Sequence, residues 1–233
     1  MAYLPQETLS LTGGCFCKSI RYTIRVPAHD DRMIVPEAAE TRLKTSDGKT
    51  RRIPTKFPIV DFDHCGDCRH ASGANALAWI ICPLDWVEWG LSVASAEVSS
   101  RVVVPSLEVC KASKTVAAGG RKEGSSDWVT ENLPGTSLAQ FCSSPDVTRT
   151  FCSKCGTTLT FFYDRPESSP MPGVCDITLG SLDDESIAIT RPERHSWWKS
   201  NVSWFGQMVK NGDGGLMTHE TGDIRYVKED GRE

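Results

Sequence analysis

The chain has 233 residues, 39% hydrophobic and 24% charged, with a formal net charge of −4 at pH 7. That composition excludes a disordered chain, and the net acidity argues against a nucleic-acid partner, because phosphate affinity rests on clustered Lys and Arg. No apolar run approaches the roughly 18 residues that span a bilayer, and Met1-Ala2-Tyr3-Leu4-Pro5-Gln6-Glu7 lacks the basic and apolar regions of a signal peptide, so a cytoplasmic protein with a small-molecule substrate is expected.

The length suits one mainly β domain over 1–233 that carries loop insertions. Ile20 to Val26 alternates apolar and polar residues, which predicts a strand with one face on a core, entered from the turn at Gly13-Gly14-Cys15-Phe16-Cys17. Residues 27–58 hold four prolines and no sustained period, and so read as an inserted loop with at most one short helix, outside the core. Asp63 to Cys68 follows Ile59-Val60-Asp61-Phe62 at a strand-to-turn corner, with a helical turn expected before the apolar run Ala76 to Cys82. Residues 105–136, punctuated by Gly119-Gly120, Gly124-Ser125-Ser126 and Pro134-Gly135, read as a second insertion. Short strands are predicted at Leu138–Cys142, Val147–Phe151, Thr157–Tyr163 and Val174–Leu179. Trp197 to Val209 suits one amphipathic helical piece.

Ten cysteines in a chain without a secretory signal point to metal binding rather than to a disulfide framework. Three clusters stand out: Cys15-x-Cys17, Cys65-x-x-Cys68 and Cys152-x-x-Cys155. Thiolates two or three positions apart on a tight turn can share one zinc at about 2.3 Å, and a glycine after the second cysteine, as at Gly156, permits the turn. Six clustered cysteines do not fill two Cys₄ sites, so one site is expected to be closed and the other short of protein ligands and open to chemistry. The isolated Cys82, Cys110, Cys142 and Cys175 read as ordinary small apolar residues.

Gly13-Gly14-Cys15-Phe16-Cys17 with Ile20-Arg21-Tyr22, His64-Cys65-Gly66-Asp67-Cys68-Arg69, Arg149-Thr150-Phe151-Cys152-Ser153-Lys154-Cys155-Gly156, and Gly180-Ser181-Leu182-Asp183-Asp184 with Pro192-Glu193-Arg194-His195-Ser196-Trp197 together resemble the glutathione-dependent formaldehyde-activating enzyme and centromere protein V family. The resemblance implies a β-tent of small antiparallel sheets. It implies a structural zinc on Cys15, Cys17, Cys152 and Cys155, and a catalytic zinc on the middle cluster. The family's middle cluster reads Cys-x-Cys-x-x-Cys; here Asp63, Cys65 and Cys68 stand at those positions. A carboxylate in place of the first thiolate makes a bound metal a stronger Lewis acid.

Other residues carry weaker signals. His64 is expected to point away from the metal, by strand alternation. Arg69 could hold a substrate carboxylate, and His195 could move a proton near a metal-bound substrate. Asp183 and Asp184 read as turn and capping residues, and the tryptophans as core. The leading expectation is a zinc-dependent carbon–sulfur lyase or synthase acting on a small carbonyl compound or its glutathione adduct. Alternatives are a zinc Lewis-acid enzyme that performs dehydration, cyclisation or isomerisation without glutathione, and a non-catalytic zinc-stabilised binding module.

Overall fold

The computed structural model describes residues 4–36, 42–44, 50–52, 55–93, 100–111 and 130–216. In chain order its strands are β1 (Leu9–Gly14), β2 (Ile20–Val26), β3 (Arg42–Lys44), β4 (Thr50–Arg52), β5 (Ile59–Asp63), β6 (Leu77–Pro83), β7 (Val87–Val93), β8 (Ser100–Val104), β9 (Thr130–Asn132), β10 (Leu138–Ser144), β11 (Val147–Cys152), β12 (Thr158–Tyr163), β13 (Val174–Thr178) and β14 (Arg194–Ser196). The helices are short: α1 (Gly66–Ser72), α2 (Ser106–Cys110), α3 (Asp184–Ala188) and α4 (Ser203–Asn211). The protein is mainly β, as its alternating sequence predicts.

Strands β1-β2-β7-β8 form a four-stranded sheet, β14-β5-β6-β13-β12-β11-β10-β9 an eight-stranded one, and β3-β4 a separate pair. All pairings are antiparallel except β14 on β5, which is parallel because the chain returns to that edge after α3. Alternate residues of both large sheets enter one apolar cluster. Leu11, Ile20, Ile24, Trp89 and Leu91 come from the smaller sheet, and Val60, Ile80, Ile177, Leu159 and Leu138 from the larger. Strand alternation therefore leaves the other face of the larger sheet free for polar residues.

The two sheets are tied by specific polar contacts. Tyr22 Oη and Ser181 Oγ lie 2.7 Å apart, and Asp183 accepts hydrogen bonds from Thr12 Oγ1 at 2.6 Å and Arg21 Nη1 at 2.9 Å. Asp183 is thus an inter-sheet clasp rather than a cap of α3, which has no side-chain cap. Gly13 is required by close approach, since a Cβ there would lie 2.4 Å from the Tyr22 ring.

The segments read as insertions take part in the core. Val35 and Phe57 are buried in a small cluster with Val174, and Val109 and Cys110 of α2 join the main cluster. Isolated apolar residues can fill a groove without any periodic pattern, which is why the sequence places 27–58 outside the core and the structure does not. The β3–β4 pair also lies where a loop is expected, whereas 112–129 falls outside the described residues. Trp79 and Trp89 are core residues as expected, but Trp197 and Trp204 are exposed.

Candidate metal centres and the charged sheet face

The first cysteine pair sits on the β1–β2 turn. Cys15 N–H donates to Ile20 O at 3.0 Å and Lys18 N–H to Cys15 O at 2.9 Å, while Ile20 N–H reaches Cys15 Sγ at 3.3 Å. The last pair sits on the β11–β12 turn, where Gly156 adopts φ 75° and donates to Cys152 O at 2.8 Å. Phe16 N–H donates to Thr157 Oγ1 at 3.1 Å and ties the turns together.

This brings together four sulfurs from opposite ends of the chain. Cys15 and Cys17 Sγ are 3.5 Å apart, Cys17 and Cys152 Sγ 3.7 Å, and all four ligand atoms lie within 4.8 Å of one another. Sulfurs at about 2.3 Å around a tetrahedral ion are separated by about 3.8 Å, so the group fits one. The spacing is far too long for a disulfide, and all ten cysteines are free. Burial pushes the Cys15 thiol up to about 12. The Ser19 hydroxyl lowers Cys17. Burial acts to raise Cys155, but hydrogen bonds from the Thr157 hydroxyl and backbone and from the Cys17 backbone outweigh it and bring the thiol down to about 6. The turns therefore shift two of the four thiols toward thiolate.

The second group lies where β5 runs into α1. Asp63 ends the strand, Cys65 precedes the helix and Cys68 lies within its first turn. Their ligand atoms also lie within 4.8 Å of one another. Cys65 N–H donates to Asp63 Oδ1 at 2.6 Å, which fixes the carboxylate. Two thiolates and a carboxylate suit a metal of borderline softness and leave a tetrahedral ion one position short. Burial raises the Cys68 thiol, and Arg149 opposes it with Nη2 at 3.6 Å from Sγ.

Arg149 belongs to a charged face of the eight-stranded sheet. The register aligns Ile59, Ile81, Asp176, Phe161, Arg149 and Phe141 across adjacent strands. Alternation adds Asp61 and Asp63 to the same face. Burial drives the Asp176 carboxyl up to about 8, with the Asp61 charge adding to it; Asp61 itself rises to about 6 by burial, opposed by the Ser196 hydroxyl that donates to it. A carboxyl pushed toward its neutral form, an arginine and the Asp63 end of the second candidate metal group thus share one face. Beside Arg149 is a cavity of about 250 Å³ whose lining includes Ala71, Phe141 and Phe151.

The structure does not bring His195 to either metal group. It pairs with Phe62, on the opposite face of β5 from Asp63, and stacks on that ring at 5.8 Å. Its Nδ1 lies 2.9 Å from His64 Nε2, beside a separate cavity of about 300 Å³ lined also by Arg191, Glu193 and Phe205. His64 is buried there and is not in the ligand group. Burial lowers both imidazoles. Arg69 lies on α1, one residue past Cys68, and its Nε is buried without a hydrogen-bond partner.

Compared with known proteins, the chain matches no family model and no curated protein. Among the described residues no helix is long and apolar enough to cross a membrane. Arg149 and Asp176 are the residues that sequence reasoning passed over. The signal was present: each is a charged residue flanked on its strand by Val, Ile, Thr or Cys, where a charge either faces solvent or has work to do.

Proposed function

We propose that the chain is a cytoplasmic zinc enzyme of carbon–sulfur lyase or synthase type, acting on a small carbonyl compound or its glutathione adduct. What carries the reading is the separation of two ligand groups, a closed set of four cysteines and an incomplete set of Asp63, Cys65 and Cys68. The resemblance of the cysteine-bearing segments to the formaldehyde-activating family supports the same assignment.

Cys15, Cys17, Cys152 and Cys155 would hold one zinc that fastens the β1–β2 turn to the β11–β12 turn. Asp63, Cys65 and Cys68 would hold the second, which when bound supplies Lewis-acid polarisation of a carbonyl oxygen. The chain's own groups prepare the site. The Cys65 amide orients the Asp63 carboxylate, and Arg149 favours Cys68 as thiolate. Asp176, held neutral near pH 7, is a proton donor on the same face. His195 has no part in this scheme.

The test is metal content together with turnover. Zinc-replete protein should hold about two ions per chain and form or cleave a glutathione–formaldehyde adduct, and Cys65→Ala should remove one ion and the activity. A fully reconstituted protein that holds a single zinc refutes the catalytic centre and leaves a zinc-stabilised binding module. Turnover of small carbonyl compounds that does not respond to glutathione replaces the thiol chemistry with direct Lewis-acid chemistry.

A further inference from the structure

Arg149 is 2% exposed in the middle of an eight-stranded sheet. A charge so buried is costly unless its hydrogen bonds are satisfied. Its Nε donates to Ser143 Oγ at 3.1 Å, Nη2 faces Cys68 Sγ at 3.6 Å, and its Cζ lies 5.0 Å from the Phe161 ring centroid. Nη1 has no hydrogen-bond partner, and no carboxylate of the described residues forms an ion pair with the guanidinium. Asp176, two strands away on the same face, makes no ion pair with it.

The same arginine lines the cavity of about 250 Å³ beside α1, with Phe141, Phe151 and Ala71 as apolar wall and Thr158 as a further polar group. We propose that this cavity is a carboxylate-binding subsite: Arg149 receives the carboxylate of a small substrate whose apolar body lies against Phe141 and Phe151. The inference rests on the proposed function in one respect, that the middle group is where the rest of the substrate reacts. Because Arg149 Nη2 lies 3.6 Å from Cys68 Sγ, a carboxylate held by Arg149 lies next to the middle group. The substrate class narrows accordingly to compounds with both a carbonyl, or its thiol adduct, and a carboxylate.

Charge and size select the ligand. A planar carboxylate matches the guanidinium fork. The cavity of about 250 Å³ limits the apolar body to a small one. The carboxylate has two chemical sources, an oxo acid or the glutathione part of an adduct, and binding measurements separate them.

The experiment uses zinc-loaded full-length protein and titration calorimetry with four probes: 2-oxobutyrate, butyrate, 2-oxobutyramide and glutathione. Wild type should bind butyrate and 2-oxobutyrate at least about 10-fold more tightly than the neutral amide, and Arg149→Gln should erase that preference while Arg149→Lys retains part of it. Preference for the oxo acid places the carboxylate on the carbonyl compound, and an Arg149-dependent preference for glutathione places it on the thiol; both outcomes support the subsite. If wild type binds no carboxylate probe more tightly than the amide, the subsite does not exist. Zinc content is measured in the same samples. Loss of the second ion in Arg149→Gln with carboxylate binding unchanged shows that the arginine serves only Cys68, which overturns the inference.

Should Arg149→Gln fail to fold, Ala71→Phe fills the cavity from α1 and leaves the guanidinium in place. It should abolish carboxylate binding, and unimpaired binding overturns the proposal. The subsite and the proposed function fail separately: Arg149-dependent binding in a protein that holds a single zinc keeps the former and removes the latter.

Discussion

Asp63 is the residue on which the proposed chemistry turns. It ends β5 on the charged face with its carboxylate fixed by the Cys65 amide, so Asp63→Ala should lower metal content from about two ions to about one while the cysteine-only group keeps its own. Asp63→Cys should restore the second ion and hold it more tightly against a chelator, since thiolate is the softer donor. Unchanged metal content in Asp63→Ala would make the carboxylate a bystander. Asp176 carries a pH signature. Its carboxyl stays neutral in the folded protein up to about 8, whereas the ordinary value is 3.8. Because the folded value is raised, the proton stabilises the fold fully below the ordinary value, and that contribution is lost as pH climbs through the interval between the two. Asp176→Asn should therefore match wild type in acid and gain in Tm relative to it toward pH 9, by about 2–4 °C for each kcal/mol relieved. A Tm difference independent of pH would mean that the carboxyl does not ionise on this face.

At the scale of elements, alternation predicted β2, and β-rich runs bounded by turn residues predicted β10, β11, β12 and β13 closely. The strands not anticipated were β1, β3, β4, β7, β8, β9 and β14. The Val87-Glu88-Trp89-Gly90-Leu91 alternation of β7 is itself legible in the sequence. Pairing order was not legible, since the parallel addition of β14 to β5 depends on contacts between residues more than a hundred positions apart. The cysteine spacing located the ligand turns, but a cavity wall shared by α1, β10 and β11 has no linear signature. The β11–β12 knuckle itself can be tested: Gly156 is at φ 75°, and a Cβ there meets nothing within 4 Å, so Gly156→Ala should cost only the left-handed backbone strain, about 1–2 kcal/mol. Chemical denaturation measures it, and a cost near zero would mean the turn relaxes.

Over the whole molecule the cysteine-only group joins positions 15 and 17 to 152 and 155, while Thr12, Arg21 and Tyr22 clasp residues 181–186. Loss of one thiolate, or of a metal bound there, would loosen this closure everywhere at once. Cys15→Ser should lower Tm by about 10 °C or more and release one ion, and an unchanged midpoint would dissociate the group from the fold. The same closure has a consequence in time. Cys17 and Cys152 are 135 residues apart, and synthesis at about 5–20 residues per second separates them by roughly 7–27 s on the ribosome. Through that interval the first two thiols are a bare pair on a nascent chain, and the smaller sheet lacks the residues that clasp it. A zinc ion taken up by the pair in that interval would gain its last two ligands only when Cys152 and Cys155 arrive, so the yield of metal-loaded protein should rise with zinc supplied during synthesis and respond less to zinc added after release.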